Sequence, residues 1–422
     1  HTSITYGELF AGGLQGWTQA ALRLRQGNLP LELAFQLDCD EGCAATSEFV
    51  HPAPLRKIYD SEGLSDAYDD PQSTIFAVAD VRENWWWNLM VLRPPRVVCV
   101  SAPCTPWSRA GMSSGISHQD GLLIADVAVC ASFTRPEALL LENVPGFPGH
   151  EDYPQVLQVL RAAGYEVLWQ ACTDLAEVLP VRRERFLMLC AHKDALGTAP
   201  IPDISWFGFS RPSLHHAKAL YTLPDALQAP LHLDPDTWSM YCDPQFFPPS
   251  FGHGSPQTKF RLRLRSCAQQ APCFVASYGH QHSLPIGMLR SKGLHGCLLT
   301  INGSHRFFSP AEINSAHGTG GPVILPHSPR QAWLYAGNAI APPHAAMALV
   351  QACRYLLPQG LPASPDELLH RVVVTRMHNS NTYFIPLQAG WLMCRRDEVQ
   401  TVLPRVLDSG LTNEQMLIQA PL

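Results

Sequence analysis

One cysteine of this sequence, Cys104, is placed where a thiol could act as a nucleophile. It lies in the stretch V-V-C-V-S-A-P-C-T-P-W-S-R-A-G, which begins at Val97. The β-branched residues at its start predict a buried strand, and Pro103 and Pro106 prevent the strand from continuing or a helix from starting at once. Cys104 is therefore expected on a stiff loop at the carboxyl end of a strand, where ligands of α/β sheets bind. A thiol there is either a nucleophile or a small buried side chain in a turn.

Further candidate catalytic groups occur where other predicted strands begin or end. The apolar run A-L-L-L stops abruptly at Glu142 and Asn143. Glu142 is either a solvated strand end or a buried proton donor whose pKa is raised by its apolar neighbours. In the segment V-R-R-E-R-F-L-M-L-C, Arg183 and Arg185 share one side of a strand by the two-residue period. They are either surface cations or ligands of an anion or a carbonyl oxygen.

The first part of the chain contains residues that suit a nucleotide-like cofactor. A strand from Ile4 to Phe10 leads through F-A-G-G-L-Q-G into a helical pattern. Glycines at such a turn let a ligand approach the main chain and the helix N-terminus, although a tight turn has the same signature. Asp38 ends the second strand, where an acid can bond ribose hydroxyls or cap a helix. Asp80 follows the third strand at the same edge and could accept a hydrogen bond from an adenine amino group.

The charge distribution indicates a local surface for a polyanion. The net charge of −6 argues against a globally basic nucleic-acid-binding protein, yet no Asp or Glu occurs from Pro244 to Ala311. Within this window R-L-R-L-R predicts a strand with its guanidinium groups on one face, where phosphate contact is favoured over a solvated edge strand. The candidate nucleic-acid contacts are Ser108, Lys259, Arg261, Arg263, Arg265, Arg290, Lys292 and Arg306.

The order of the predicted elements favours an α/β fold with more than one domain. Strand and helix patterns alternate up to about residue 195 and then give way to a Pro- and aromatic-rich, loop-rich insertion. Helical patterns return after residue 301 and end in a strong helix near Leu356. The predicted divisions are a first domain over 1–195, an insertion over 196–300, a return segment over 301–357 and a C-terminal unit over 358–422.

Composition excludes several classes of protein. The 422 residues are 46% hydrophobic and 16% charged, which excludes wholesale disorder, and no apolar run approaches the ~20 residues that span a bilayer. Thirteen scattered cysteines do not resemble a secreted disulfide framework, so an intracellular setting is expected. The C-x3-C pair of Cys39 and Cys43 has no second pair, and no metal site is predicted. Because the sequence starts at His1, we expect a piece of a longer polypeptide.

Taken in order, these stretches resemble the motifs of the cytosine-C5 methyltransferases. The matching motifs are the phenylalanine-glycine loop at Phe10, P-C-x-P-x-S from Pro103, E-N-V from Glu142, R-x-R from Arg183 and G-N-x-x-x-P from Gly337. The resemblance covers about residues 4–356, with a variable gap near 195–300. It implies a Rossmann-like, seven-stranded methyltransferase sheet, a smaller loop-rich target-recognition domain in the gap, and a final helix that completes the first domain. Residues 358–422 then form a C-terminal extension.

The resemblance also implies a role for each candidate residue. Cys104 would add to C6 of a cytosine flipped out of duplex DNA, Glu142 would hold and protonate N3, and Arg185 would donate to O2. Arg183 belongs to the same R-x-R motif as Arg185 and is counted with the catalytic residues. The implied cofactor is S-adenosylmethionine, and its expected contacts are Phe10, Gly12, Gly13 and Gly16 on the methionine side, Asp38 at the ribose, Asp80 at the adenine and Asn338 on the far wall. The nucleus is the expected compartment if the source is eukaryotic, and the cytoplasm otherwise.

The sequence departs from the family pattern at three places. Glu8 stands where the family usually has Asp, G-G-L-Q-G shifts the usual G-x-G-G, and Val181 stands where a glutamine is common before R-x-R. The altered glycine loop leaves a non-catalytic member that binds nucleic acid or protein as an alternative. A second alternative is an RNA cytosine methyltransferase, because the tRNA-methylating branch shares the catalytic residues and also the segment C-F-V-A-S-Y-G from Cys273. Duplex DNA is the favoured substrate.

Overall fold

The fold is described from a computed structural model of the chain. The described residues are 3–51, 53–69, 73–108, 113–177, 179, 181–195, 263–266, 273–279, 297–301, 304–307, 313–314, 316–318, 323–325, 329–357, 360–369, 372, 382–387, 390–395 and 418–419.

An eight-stranded sheet organises the first part of the chain. Its strands, in spatial order, are β3, β4, β2, β1, β5, β6, β8 and β7. All run parallel except β8, which is antiparallel to both of its neighbours. The strands span Ile4–Leu9 (β1), Leu31–Asp38 (β2), Leu55–Ile58 (β3), Thr74–Val78 (β4), Val97–Val100 (β5), Ala138–Asn143 (β6), Tyr165–Asp174 (β7) and Glu184–His192 (β8).

Helices cover both faces of this sheet. Val98 and Val100 on β5 belong to a core cluster that includes residues of α4, α5 and α6, whereas the intervening Cys99 lies on the side of Cys353 in α8. Strands covered on both faces become continuous apolar runs, which is why β5 and β6 are fully buried. The helices span Gly16–Gln26 (α1), Gly42–Val50 (α2), Ser61–Asp69 (α3), Trp87–Leu92 (α4), Leu123–Thr134 (α5), Tyr153–Ala162 (α6), Pro329–Asn338 (α7) and Pro342–Leu356 (α8).

The α/β class predicted from the sequence is confirmed, and the strand count is corrected from seven to eight. The strand that the sequence pattern missed is β3, which pairs only with β4 and forms the edge of the sheet. Its four residues, L-R-K-I, include two charges and are mostly half-buried. A short edge strand of this kind lacks the apolar run that marks an interior strand.

The chain divides into two compact units. Unit 1 comprises residues 1–177, 183–210 and 339–376 and contains the eight-stranded sheet, and unit 2 comprises residues 178–182, 211–338 and 377–422. Unit 2 contains a three-stranded sheet in the order β11, β10, β9 and a four-stranded sheet in the order β12, β14, β13, β15. These strands span Arg263–Ser266 (β9), Cys297–Ile301 (β10), Ser304–Phe307 (β11), Val323–Leu325 (β12), Thr382–Leu387 (β13), Gly390–Arg395 (β14) and Ile418–Gln419 (β15).

The boundaries of these units differ from the divisions drawn on the sequence. Residues 301–338 group with unit 2 rather than with the first domain, and residues 358–422 are shared between the two units. The return to unit 1 occurs between α7 and α8. Gly337, near the end of α7, packs so closely on unit 2 that a Cβ there would lie 2.3 Å from the Ala276 nitrogen. Helix α8 instead packs on α1 and β8.

Among the described residues, no helix is both long and apolar enough to cross a membrane.

Candidate active site

The loop that carries Cys104 has a rigid base. The Cys104 carbonyl oxygen accepts the main-chain N–H groups of Trp107 and Ser108, each at 3.0 Å, so the loop closes in a helical turn. The Trp107 ring is buried and meets Phe147 and His150 edge-on, with ring centroids 4.8 and 5.2 Å apart. Cys104 itself is partly exposed. A stiff loop thus presents the thiol at the carboxyl end of β5, as the sequence predicted.

Glu142 and Arg185 form a buried ion pair beside this loop. Arg185 Nε lies 2.9 Å from Glu142 Oε1, and their side chains are only 10% and 8% exposed. Glu142 lies near the end of β6 and Arg185 near the start of β8, which the antiparallel pairing brings to the same edge. The next residue, Asn143, donates from Nδ2 to the Ala102 carbonyl at 3.3 Å, which ties this strand end to the cysteine loop.

The charges of this pair act on the thiol. Burial raises the pKa of Cys104 above its usual value, and the Glu142 carboxylate raises it further, while Arg185 and Arg183 oppose the rise. Because the thiolate is the nucleophilic form, its concentration depends on the balance between these neighbours. The three predicted catalytic groups Cys104, Glu142 and Arg185 are therefore close enough to influence one another.

Arg183 has a different environment from Arg185. Its side chain is fully buried, and its guanidinium donates to the Ala339 carbonyl in the segment that leads into α8. Its main-chain N–H donates to Asp174 Oδ1 at 2.8 Å, which fixes the turn before β8. These contacts tie the start of β8 to the segment that leads into α8, and the catalytic role of Arg183 stays a prediction.

The order of the strands brings the predicted cofactor residues to the edge that holds Cys104. Along this edge β4, β2, β1 and β5 are consecutive neighbours, and Asp80, Asp38, the glycine loop and Cys104 follow their respective carboxyl ends. The strands are parallel, so all of these residues lie at the edge where α/β sheets bind ligands.

Asp38 braces the glycine loop. Its Oδ2 accepts the Gly12 N–H at 2.8 Å, and its Oδ1 accepts the Asp40 N–H at 2.9 Å. Burial raises the pKa of Asp38 despite these bonds. Gly12 has a φ of +66°, and a Cβ there would have only the Phe10 carbonyl oxygen within 4 Å, at 3.9 Å. The main chain at Gly12 is consequently open to a ligand, which fits a nucleotide-like cofactor.

Asp80 is held by its neighbour Arg82. Its Oδ1 accepts the Arg82 main-chain N–H at 2.9 Å and Arg82 Nε at 2.8 Å. This contact lowers the pKa of Asp80, so the carboxylate is ionised at neutral pH. An ionised acceptor at the end of β4 suits the predicted bond to an amino group, which would share the carboxylate with Arg82.

The remaining predicted cofactor residues are placed differently. The Gly13 carbonyl accepts the Thr46 hydroxyl at 2.8 Å. Gly16 starts α1, and a Cβ there would lie 2.2 Å from the Ile340 carbonyl oxygen, so this glycine allows α1 to pack on the return segment. Phe10 is partly buried against the core with a φ of +57°. Asn338 ends α7 in unit 2 with an exposed side chain, and its contact with the cofactor stays a prediction.

We expect Gly16→Ala to destabilise unit 1, because the new methyl group would overlap the Ile340 main chain. Overpacking of this kind costs about 1–3 kcal/mol in the free energy of unfolding. Urea unfolding followed by circular dichroism would measure the loss. Gly149→Ala is the matched control, since a Cβ at Gly149 meets nothing within 4 Å. Equal stability of the two variants would contradict the packing role of Gly16.

The predicted nucleic-acid contacts are only partly described. Ser108 is partly exposed and follows the cysteine loop, while Lys259, Arg261, Arg290 and Lys292 lie outside the described residues. The described part of the strand predicted over Arg261–Arg265 is β9, Arg263–Ser266. In the three-stranded sheet, Leu299 of β10 pairs with Arg265 on one side and with Arg306 on the other, and Arg263 pairs with Cys297. The register therefore places Arg265 and Arg306 in one row of the sheet, and their contact with phosphate stays a prediction.

Sequence reasoning missed the buried polar residues within and beneath the glycine loop. Gln15 and Gln36 are fully buried and hydrogen-bonded to the loop or to Glu8. The sequence marks these buried residues only indirectly: its departures from the family pattern at Glu8 and in G-G-L-Q-G fall among them. Glutamine has no preference that would predict such burial.

A family model and curated relatives agree with the motifs. Residues 78–240 match the model of the C-5 cytosine-specific DNA methylase family. The Type II methyltransferase M.BsuFI of Bacillus subtilis is 26% identical over 263 residues, which are 58% of this chain and 55% of that protein. The Type II methyltransferase M.DsaV of Dactylococcopsis salina is 34% identical over 90 residues, 21% of this chain and 26% of that protein. The chain thus spans about half or less of these relatives.

Solved structures share the fold. The Dnmt2 methyltransferase of S. pombe superposes with a TM-score of 0.54 at 13% identity, covering 85% of this chain and all of that one. A putative DNA modification methyltransferase encoded within a prophage of E. coli gives 0.52 at 16% identity, covering 84% and 99%. At these identities the likeness concerns the fold alone, and it confirms the Rossmann-like α/β class.

Proposed function

We propose that this chain belongs to the C-5 cytosine-specific DNA methylases, whose family model matches residues 78–240, and that it transfers a methyl group from S-adenosylmethionine to C5 of cytosine in duplex DNA. The observation that carries the proposal is the meeting of Cys104 with the buried Glu142–Arg185 pair at the sheet edge that also holds the glycine loop. A nucleophile, a proton donor and a fixed cation beside a ligand cleft are what addition to a pyrimidine ring needs.

The residues of unit 1 fit the proposed cofactor. S-adenosylmethionine, when bound, supplies an electrophilic methyl group. The open main chain at Gly12 and the ring of Phe10 would contact its methionine side, Asp38 its ribose hydroxyls and Asp80 its adenine amino group. These assignments use Gly12, where the described residues leave open space at the Cβ position, and two carboxylates from neighbouring strands.

The catalytic residues would make cytosine C5 nucleophilic. C5 is a poor nucleophile in the aromatic ring, so the Cys104 thiolate adds to C6 and makes C5 enamine-like. Addition pushes negative charge into the ring, where Arg185 donates to O2 and Glu142, having taken up a proton from solvent as the base enters, donates it to N3. After C5 has gained the methyl group, its proton leaves to solvent water, the electron pair of that C–H bond re-forms the C5–C6 double bond, and the Cys104 sulfur leaves C6 as the thiolate. N3 returns its proton to Glu142, and aromaticity is restored. The Glu142–Arg185 contact keeps both groups oriented before the base enters.

The target base must leave its stack to reach this cleft, because C5 and C6 are enclosed within a duplex. Duplex DNA is favoured as the substrate because the matching family is described as a DNA methylase and the basic window of unit 2 suits a polyanion. The same catalytic groups would act on a cytosine of RNA, from which DNA differs at the 2′-hydroxyl.

Methyl transfer measured on two substrates side by side tests the proposal. The protein is incubated with tritiated S-adenosylmethionine and either cytosine-containing duplex DNA or tRNA, and label in the nucleic acid is counted. We expect label in DNA. Label in tRNA alone would replace the DNA assignment with the RNA alternative, and label in neither would favour a binding protein without activity.

The reactivity of Cys104 should depend on pH and on its charged neighbours. Since burial and Glu142 raise its pKa, the thiol is mostly protonated at pH 7, and its alkylation rate should rise about tenfold per pH unit until the pH reaches that pKa. Glu142→Gln removes a negative charge and should shift the profile to lower pH, whereas Arg185→Met should shift it higher. Mass spectrometry of the Cys104 peptide after iodoacetamide treatment measures the rate. Identical profiles in all three proteins would contradict the coupling.

A further inference from the structure

The two departures from the family pattern in the first strand and its loop are joined in one buried network. Glu8 is fully buried on β1, and its Oε2 accepts the Thr18 hydroxyl and the Gln36 amide, each at 2.7 Å. The same Gln36 nitrogen donates to Gln15 Oε1, and the Gln36 amide oxygen accepts the Ser47 hydroxyl. Glu8 and Gln15 are thus connected through a single amide group.

Gln15 links this network to the main chain of the glycine loop. Its Nε2 donates to the Gly12 carbonyl at 2.8 Å and to the Cys43 carbonyl at 3.2 Å. Gln15 has a φ of +55°, a left-handed conformation that is unfavourable for residues other than glycine. A residue is kept in that conformation only when its surroundings fix it, and here two amide–carbonyl bonds do so.

The direction of every hydrogen bond in the network follows from Glu8. Gln36 Nε2 lies within hydrogen-bond distance of Glu8 Oε2, Gln15 Oε1 and, at 3.0 Å, the Thr18 hydroxyl oxygen, so its two protons are shared among these acceptors. Both amide protons of Gln15 go to main-chain carbonyls. Because a carboxylate oxygen is an acceptor, it orients the Gln36 amide, and that amide orients Gln15. Both polar main-chain groups of Gly12 are therefore hydrogen-bonded: its N–H donates to Asp38, and its carbonyl accepts from Gln15.

The titratable surroundings of Glu8 are also buried. Tyr6 lies on the same strand, Asp38 at the end of β2 and Cys99 on β5, and burial raises the pKa of each. Burial raises the pKa of Glu8 to about 7, although hydrogen bonds from Gln36, Thr18 and the Trp17 main chain lower it. The acceptor that the network uses is Oε2, which is present whether the group is ionised or not. Glu8→Gln therefore preserves the acceptor while it removes the titration.

We propose that Gln15 and Glu8 are positioning residues that preset the glycine loop for the cofactor, with Gln15 serving in place of the usual G-x-G-G main chain. This inference rests on the proposed function, since the ligand of the loop is the cofactor proposed there. The shifted glycine loop and the longer acid then form one unit: Glu8 orients Gln36, and Gln36 orients Gln15. Gln15 fixes the peptide between Gly12 and Gly13 through the Gly12 carbonyl, while Asp38 fixes the peptide between Ala11 and Gly12 through the Gly12 N–H.

The first arm of the test measures binding and turnover. Asparagine in the Gln15→Asn variant retains an amide group and tolerates the left-handed conformation, but its side chain is too short to reach Gln36 and Gly12 together. We expect a roughly tenfold weaker S-adenosylmethionine affinity by calorimetry and a similar rise in KM, as for one lost hydrogen bond, with kcat at saturating cofactor unchanged. Gln15→Gly should show the same loss, because it removes the side chain without backbone strain. Gln170→Asn, on the exposed side of β7, controls for shortening a glutamine.

Glu8 variants test whether the two residues act as a unit. Glu8→Leu should weaken cofactor binding as much as Gln15→Asn, and the double variant should lose no more than either single one. Glu8→Gln should restore affinity at pH 6 and pH 8 alike. Additive losses, or a Gln15→Asn variant that binds as wild type or loses kcat instead, would overturn the proposal.

The second arm needs no cofactor and separates this inference from the proposed function. Hydrogen exchange of the amides of residues 10–16 should be faster in Gln15→Asn and Glu8→Leu than in wild type, and equal to wild type in Glu8→Gln. Unchanged exchange in both disruptive variants would overturn the positioning role. If wild type bound no S-adenosylmethionine, the proposed function would fall, while the exchange arm would still decide whether the network presets the loop.

Discussion

Cys104→Ser is expected to abolish methyl transfer, with a fall in kcat of at least about 10³-fold. A serine hydroxyl ionises far less readily than a thiol, so it supplies almost no nucleophile at neutral pH. The side chain is partly exposed, and serine is close to cysteine in size. Cofactor affinity and thermal stability should therefore stay close to those of wild type, and the loss should appear in turnover alone.

A covalent assay separates this loss from an indirect one. Wild type incubated with S-adenosylmethionine and duplex DNA that contains 5-fluorocytosine should form a complex that survives denaturing electrophoresis, because the fluorine cannot leave C5 as a proton does. Cys104→Ser should form none. Cys172→Ser is the matched control, since Cys172 is an exposed thiol on β7. A trapped complex with Cys104→Ser would assign the nucleophile to another residue.

The placement of Cys104 and the acids could be predicted because strand ends are visible in the sequence. A strand buried on both faces is a continuous apolar run, and it ends where a polar residue appears. Asp38, Asp80, Cys104 and Glu142 each follow or end such a run. Since parallel strands share an edge, their convergence follows once the α/β class is known.

The contacts that distinguish otherwise similar residues could not be predicted. The two-residue period placed Arg183 and Arg185 on one side and left surface cations as an alternative. Both are buried, yet Arg183 bonds the Ala339 carbonyl 156 residues away and Arg185 bonds Glu142. Such partners depend on pairing between distant strands, which no local pattern encodes. The left-handed Gln15 is a second case, because its conformation is held by hydrogen bonds to the Gly12 and Cys43 carbonyls and to Gln36, which lie apart in the sequence.

Glu142→Gln is expected to lower kcat by about 10²–10⁴-fold, the usual contribution of a general acid. The amide occupies the same volume and its oxygen can still accept from Arg185, which now donates to Glu142 at 2.9 Å. It cannot supply a proton to N3, so negative charge that enters the ring on addition of Cys104 is no longer neutralised. Steady-state methyl transfer at saturating cofactor measures the effect, and the rate of complex formation on 5-fluorocytosine DNA shows whether the addition step is slowed.

Two further observations decide whether the proton or the charge of Glu142 matters. Glu184→Gln makes the same chemical change at an exposed neighbour of Arg185, so it should leave the rate unaltered. Removing the Glu142 charge also lowers the pKa of Cys104, which by itself would increase the thiolate and speed addition. A slower Glu142→Gln enzyme with a more reactive thiol would therefore locate the loss at proton donation to the base. A variant that retained full rate would leave Arg185 as the only group that stabilises the ring and would remove the acid role of Glu142.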